Sequence, residues 1–177
     1  MTDELDFDDD DDAAAPLPGS GKNYMTQAGH ARMLGEYTEL MKVERPKVVE
    51  IVHWAAGNGD RSENGDYLYG KKRLREIDKR ARFLMKRLAI AEIVDPAAQT
   101  NRTQVFFGAT VTYVNDADIE RTVTILGVDE AEISRAEVSL NSPIARALMR
   151  AKQGDVVRLQ TPAGWEEIEI LRVSYPS

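Results

Sequence analysis

The sequence predicts an α+β chain: an N-terminal antiparallel helical hairpin, a coiled coil, followed by a small α+β domain. Three observations carry this. Apolar residues recur every seven positions from Thr26 to about residue 91, the run is interrupted once at Gly57-Asn58-Gly59, and after Asp95-Pro96 the pattern changes to alternating, β-branched runs.

Taken in order, residues 1 to 22 read as a disordered acidic tail. Asp3, Glu4, Asp6 and Asp8 to Asp12 carry eight negative charges with no positive ones, and Ala-Ala-Ala-Pro-Leu-Pro-Gly-Ser-Gly follows. Such a stretch buries too little apolar surface to offset its ordering entropy. The aspartate run lacks the glycine turn and distal glutamate of a calcium loop. Gly19-Ser20-Gly21-Lys22 fails as a phosphate loop, because Pro16 replaces the first glycine and Asn23 the metal-binding hydroxyl.

Residues 23 to 97 read as the hairpin. In the first arm Leu34, Met41, Val48 and Ala55 form one series of sevens, with Tyr37, Glu44 and Ile51 beside it. In the second, Tyr67, Leu74, Ala81 and Leu88 accompany Gly70, Ile77, Leu84 and Ala91. Each arm of about 30 residues would span about 45 Å. Pro46 removes one backbone hydrogen bond and is expected to bend the first helix without ending it, since the repeat continues beyond it. Asp95-Pro96 is expected to close the second arm.

Residues 98 to 104 read as a linker and 105 to 177 as the second domain. Strand patterns cover Val105 to Val114, Glu120 to Gly127, Glu137 to Leu140, Val156 to Gln160 and Trp165 to Val173. Asn141-Ser142-Pro143 starts one short helix with Ser142 as its N-cap, and Thr161-Pro162-Ala163-Gly164 turns between the last two strands.

Composition narrows the chemistry. With no cysteine, disulfides, zinc-thiolate sites and thiol nucleophiles are excluded, and a reducing cytoplasm is the expected setting. His30 and His53 are the two histidines, so histidine-rich zinc sites and histidine triads are poorly supported, which leaves carboxylates and hard cations such as Mg²⁺. No apolar run reaches the roughly 20 residues of a membrane span. The formal charge of −7 becomes +1 once the first twelve residues are set aside, with residues 13 to 98 at +4 and residues 99 to 177 at −3. An anionic partner would meet the middle of the chain.

Two features there point to function. The connection Gly59-Asp60-Arg61-Ser62-Glu63-Asn64-Gly65-Asp66-Tyr67 places Asp60 and Glu63 three positions apart where the second arm begins. That spacing fits a capping box, or a Ser62 cap, and a cap needs no function. Yet an exposed rod buries little surface, and what a rod does is position its end. Two solvated carboxylates can share one Mg²⁺ whose remaining positions go to water and phosphate oxygens, an incomplete site for another protein to finish. The second feature is the run Lys71, Lys72, Arg73, Arg75, Lys79, Arg80, Arg82, Lys86 and Arg87 against Glu76 and Asp78, a net +7. A solvated coiled-coil flank usually mixes its signs, so RNA or an acidic protein channel is the partner this suggests, with salt-sensitive contact.

The tip, the run Lys71-Lys72-Arg73-Leu74-Arg75-Glu76-Ile77-Asp78, and Asn141-Ser142-Pro143-Ile144-Ala145-Arg146-Ala147-Leu148 with Gly154-Asp155 resemble the Gre transcript cleavage factors, closer to GreB than to GreA through Arg61 and the extended basic run. The likeness covers roughly Asn23 to Tyr175; the acidic tail lies outside it. It implies an FKBP-like second domain that docks on RNA polymerase and a hairpin inserted in the polymerase secondary channel. Asp60 and Glu63 would match the acidic pair that helps hold a catalytic Mg²⁺ shared with polymerase and assists hydrolysis of backtracked RNA. The chain would thus act as a monomeric cofactor to another enzyme's site, itself no enzyme. Arg61, Ser62, Asn64, Lys71, Lys72, Arg75, Lys79, Arg82 and Lys86 would lie along the extruded RNA 3′ end or the channel wall. The alternatives are a channel-binding regulator without cleavage activity, a prolyl isomerase using Phe106, Phe107, Tyr113 and Trp165, and a free-standing RNA-binding module.

Overall fold

Thr26 starts the first helix because its side-chain oxygen accepts from Gly29 N at 3.1 Å, closing an N-cap on an extended backbone. The computed structural model describes residues 22–61 and 63–177, so the acidic run and its Ala/Pro/Gly continuation lie outside the described residues. Helix α1 (Gln27–Glu39) passes through a π-helical turn, Leu40–Glu44, into α2 (Arg45–Ala56). After the tip, α3 (Gly65–Ala89) returns alongside. The two arms span about 45 and 38 Å at 1.5 Å per residue.

The π turn explains a one-residue error in the expected seam. Pro46 has no N–H, and its ring would collide with the carbonyl four residues back. The chain answers by widening one turn, with Arg45 N donating to Leu40 O across five residues. The extra residue advances the repeat: the inward positions are Met33 and Leu40 before the turn, and Val48 and Ala55 after it. The expected Val48 and Ala55 face inward, whereas Leu34 is 47% exposed, because a seven-residue repeat was carried through a turn that needs eight. Ile51 is 50% exposed as well, outside the stripe. On α3 the expected Gly70, Ile77, Ala81 and Leu84 are buried, whereas Ala91, expected to continue the series, falls past the helix end at Ala89; a Cβ on Gly70 would stand 2.5 Å from Val52 Cγ2. Ile77→Ala should cost about 2–4 kcal/mol, because this slender arm has few neighbours that can close the cavity, and urea unfolding followed by helicity would register it.

Ion pairs staple the arms from outside: Arg45 Nε to Asp78 Oδ1 at 2.8 Å, Arg80 Nε to Glu36 Oε1 at 2.6 Å, and Arg73 to Glu44. All three are partly solvated, so each contributes about 0–1 kcal/mol and fixes register more than stability.

At the base, strand β1 (Asn23–Met25) pairs in parallel with β2 (Ala91–Ile93), and Met25 is fully buried beneath the hairpin. Neither three-residue strand was expected; their pairing uses the whole hairpin as its crossover, which no local pattern announces. The second arm accordingly ends at Ala89, before Asp95-Pro96.

The C-terminal sheet has the order β5-β4-β3-β7-β6, built from β3 (Thr110–Asn115), β4 (Glu120–Leu126), β5 (Glu137–Ser139), β6 (Val156–Thr161) and β7 (Gly164–Ser174). Neighbours are antiparallel except β4 with β5. The expected strand from Val105 begins only at Thr110: Val105 is tied to Arg150 and Ala151 through its backbone, and Gly108 at φ 83° breaks the extension. Helix α4 (Pro143–Leu148) is capped by Ser142 as expected, and Ala145 and Leu148 join Val111, Ile125, Ile168 and Ile170 in the core.

The two parts meet through a buried polar contact that leaves each side chain satisfied. Arg87 Nε donates to Asp129 Oδ2 at 2.7 Å, Arg87 Nη2 to Asn23 Oδ1 at 3.0 Å, and Asn23 Nδ2 to Asp129 Oδ2 at 2.8 Å. Beside it Glu130 accepts from Thr26 N and Gly127 N through one oxygen, and from the Thr26 hydroxyl through the other. Two glycines allow the approach: a Cβ on Gly29 would stand 2.0 Å from Glu130 Oε2, and one on Gly127 2.1 Å from Tyr24 O.

Candidate functional site: the hairpin tip and its basic flank

Eight residues, 57 to 64, join α2 to α3 at the end of the rod opposite the base strands. Gly57 and Asn58 close the first helix through bonds to Trp54 O and Ala55 O, and Gly59 at φ 103° reverses the chain in a conformation that L side chains avoid. Asn64 then does two jobs. Its Oδ1 accepts from Tyr67 N at 3.1 Å as the N-cap of α3, and its Nδ2 donates to Ala55 O at 2.7 Å, pinning the two helix ends together.

That assignment changes the reading of the tip. The capping residue is Asn64, expected among the RNA or channel contacts, and neither Asp60 nor Glu63 caps the helix. Both carboxylates are exposed, joined through the backbone by Glu63 N to Asp60 O at 3.3 Å. Asn at an N-cap with Asp66 in the first turn was a legible signal, since Asn ranks with the best caps, but the Asp-x-x-Glu spacing competed with it. Ser62 lies outside the described residues.

Tyr67, expected in the seam, also serves the tip. Its ring has the Arg61 guanidinium 5.7 Å and the Lys71 ammonium 5.9 Å from its centroid, so one aromatic face system gathers cations from both sides of the turn.

The basic run divides into two sets. Arg73, Arg80 and Arg87 are spent on Glu44 with Glu76, Glu36, and Asp129. The guanidinium pKa values of Arg73 and Arg80 are raised, chiefly by hydrogen bonds to Glu44 and Glu36 respectively. Lys72, Arg75, Lys79, Arg82 and Lys86 are exposed and recur at alternating spacings of three and four, which puts them on one face of α3; Lys71 is half-buried at its margin. From Lys72 to Lys86 that row extends about 21 Å.

Among the described residues no group of three or more His, Asp or Glu is placed to hold a metal. The tip pair offers two hard oxygen donors in water, a set that fits the one or two protein positions Mg²⁺ commonly takes and falls short of a closed cage. The aromatics of the C-terminal part are dispersed: Tyr113 is in the core, Phe107 meets Tyr24 in a tilted contact at 6.2 Å, and Trp165 is 63% exposed under Arg158. No helix among the described residues is long and apolar enough to cross a membrane.

Residues 23–93 match the family model described as the N-terminal part of a transcription elongation factor, and residues 99–175 match the one described as the GreA/GreB C-terminal part. The transcription elongation factor GreB of Neisseria meningitidis serogroup B is 56% identical over 154 residues, covering 87% of this chain and 94% of that protein. GreB of Pseudomonas aeruginosa is 42% identical over 162 residues, with 91% and 95% covered. The crystal structure of Gfh1 from Thermus thermophilus, at 20% identity, covers 86% of this chain and 98% of its own with a TM-score of 0.40, too low to bear on this chain. Matches over both halves and identities of this size settle the relationship: the chain belongs to the GreA/GreB family of transcription elongation factors, and its type is GreB.

Proposed function

We propose that this elongation factor docks on RNA polymerase through its C-terminal part, inserts the hairpin into the secondary channel, and stimulates Mg²⁺-dependent cleavage of backtracked RNA. The observation that carries the reading is the exposure of Asp60 and Glu63 at the free end of the hairpin, where the cap of α3 is supplied by a different residue, Asn64. Exposed carboxylates that do not cap α3 can face a metal centre brought by a partner.

In this mechanism Asp60 and Glu63 supply oxygen ligands and accept hydrogen bonds from an attacking water. Bound between them and polymerase, Mg²⁺ would lower the pKa of that water and neutralise charge on the phosphate. Arg61, held near the Tyr67 ring, offsets developing negative charge beside the pair. The row from Lys72 to Lys86, with Lys71 beside it, lies along the path that an extruded 3′ end would take from the tip toward the base. Hydrolysis takes place in polymerase, and the chain is its cofactor.

Purified protein added to stalled, backtracked elongation complexes should release short 3′ RNA fragments in Mg²⁺. Release from RNA without polymerase would show a self-sufficient nuclease, and binding to polymerase without release would show a channel-occupying regulator. Neutralising Lys71, Lys79 and Arg82 together should weaken cleavage of longer extruded RNAs first, and the loss should grow with salt. Equal loss at every length would assign the row to protein docking.

A further inference from the structure

Two exposed aromatic rings near the tip serve neither the seam nor the mechanism above: Trp54 on α2, 65% exposed, and Tyr69 on α3, 71% exposed. Rings left in water gain nothing from packing, and Trp and Tyr are only middling helix formers, so their place on the arms calls for another reason.

The fold puts both on one flank and at one height. Arg45 and Asp78 pair across the opposite flank. Trp54 follows Arg45 by nine positions and Tyr69 precedes Asp78 by nine, two and a half turns in each case, so each ring stands half a turn from that pair. Height follows from Gly70, where a Cβ would stand 2.5 Å from Val52 Cγ2. Tyr69 lies one residue nearer the tip than Gly70, and Trp54 two nearer than Val52, which sets the rings within about 3 Å of each other along the rod. Packed helix axes lie about 8–10 Å apart. One planar base between two rings needs about 7–8 Å, two contacts of about 3.5–4.0 Å. Side chains rooted on the two arms can therefore close on a single base.

The surroundings select the occupant. Lys72, exposed three residues after Tyr69, is the tip end of the cation row, and Arg75 follows it. Cations that track a backbone beside ring faces that take bases are the two parts of a single-stranded nucleic-acid site. Tyr69 stands about 6 Å from the start of α3 at Gly65, next to the turn that carries Asp60 and Glu63. A base held there belongs to a nucleotide close to the acidic pair. A second copy of the chain suits the patch less well. Two aromatic side chains bury about 300–500 Å², less than the roughly 600–1,000 Å² that each partner gives to a stable interface.

We propose that Trp54 and Tyr69 form a stacking subsite for one base of single-stranded RNA whose phosphates lie on Lys72 and Arg75. The source of that RNA, a backtracked 3′ end, rests on the cleavage role proposed above; the stacking itself requires no polymerase.

Trp165→Phe leaves Trp54 as the sole tryptophan of the full chain, so its emission reports on the subsite. At low salt a single-stranded RNA oligonucleotide should quench that emission to saturation, while an abasic ribose-phosphate chain of equal length should bind without quenching. Tyr69→Ala should weaken RNA binding about 5-fold or more, and Tyr69→Phe, which keeps the ring, should stay within about 2-fold of the parent. Absence of quenching by RNA, or equal quenching by the abasic chain, would overturn the proposal. Quenching that grows with protein concentration alone would overturn it in favour of a second copy. On backtracked complexes, Tyr69→Ala should raise the concentration for half-maximal cleavage about 5-fold when the extruded RNA carries its bases, and leave it unchanged when the extruded nucleotides are abasic. The same loss on both RNAs would also overturn the proposal, assigning the rings to an apolar wall of polymerase. If the parent chain released no fragments at all, the cleavage role would fall while the fluorescence result still decided the stacking.

Discussion

Backtracked elongation complexes supplied with the chain carrying Asp60→Asn and Glu63→Gln are expected to release RNA fragments at least about 100-fold more slowly than with the parent chain, because two metal-ligating charges vanish together. The substitutions keep shape and most hydrogen-bonding capacity, so the loss would report on charge. Helicity should hardly change, since Asn64 and not Asp60 or Glu63 caps α3. The contrasting change is Asn64→Ala. It removes the cap on Tyr67 N and the tie to Ala55 O, and should cost about 1–2 kcal/mol with fraying of the tip, seen as lost amide protection in the first turn of α3. Normal cleavage by the doubly changed chain would leave the acidic pair without a role.

Arg87→Ala is expected to produce the largest loss of stability, about 3–5 kcal/mol, because it strands a charge where water does not reach. The Arg87 side chain is 5% exposed and that of Asp129 10%, and Asn23 is fully buried. With the guanidinium gone, Asp129 loses its charged partner and is left with the Asn23 amide, while Asn23 Oδ1 loses its donor. The ion pair itself adds little over an apolar substitute, so Arg87→Met with Asp129→Leu should recover part of the loss on urea unfolding. What the apolar pair would not restore is orientation. The polar contact joins the foot of the hairpin to the turn before β5, and a small rotation there is magnified along a 38 Å arm; in the cleavage assay the double variant should therefore bind polymerase and cleave poorly.

How much of this was legible in the sequence depended on whether the signal was local. The heptads of α3, the Ser142 cap and four of the five C-terminal strands are properties of short windows, and they stand where the pattern placed them. Leu34 and Met33 show the limit. A repeat counts residues, and the π turn at Leu40–Glu44 adds one that only the backbone reveals, although Pro46 marked the place. The strands β1 and β2 and the Asn23-Arg87-Asp129 contact join residues 42 to 106 positions apart, and three-residue strands and single polar side chains carry no periodicity to find. At the tip, residue types sufficed to nominate Asp60 and Glu63 but not to separate them from the cap, which required seeing Asn64 bonded across the turn. The same holds for the basic run. Its charge was countable, whereas its division into paired arginines and an exposed row follows from where Glu36, Glu44 and Asp129 fall.

The central claim, that the tip carboxylates help hold a metal completed by polymerase, is tested most directly by titrating Mg²⁺ in the cleavage reaction with the parent chain and with Asp60→Asn alone. The account predicts a half-saturating Mg²⁺ concentration raised about 10-fold or more in the variant, with much of the rate recovered at high Mg²⁺. An unchanged half-saturating concentration with a uniformly lower rate would contradict it.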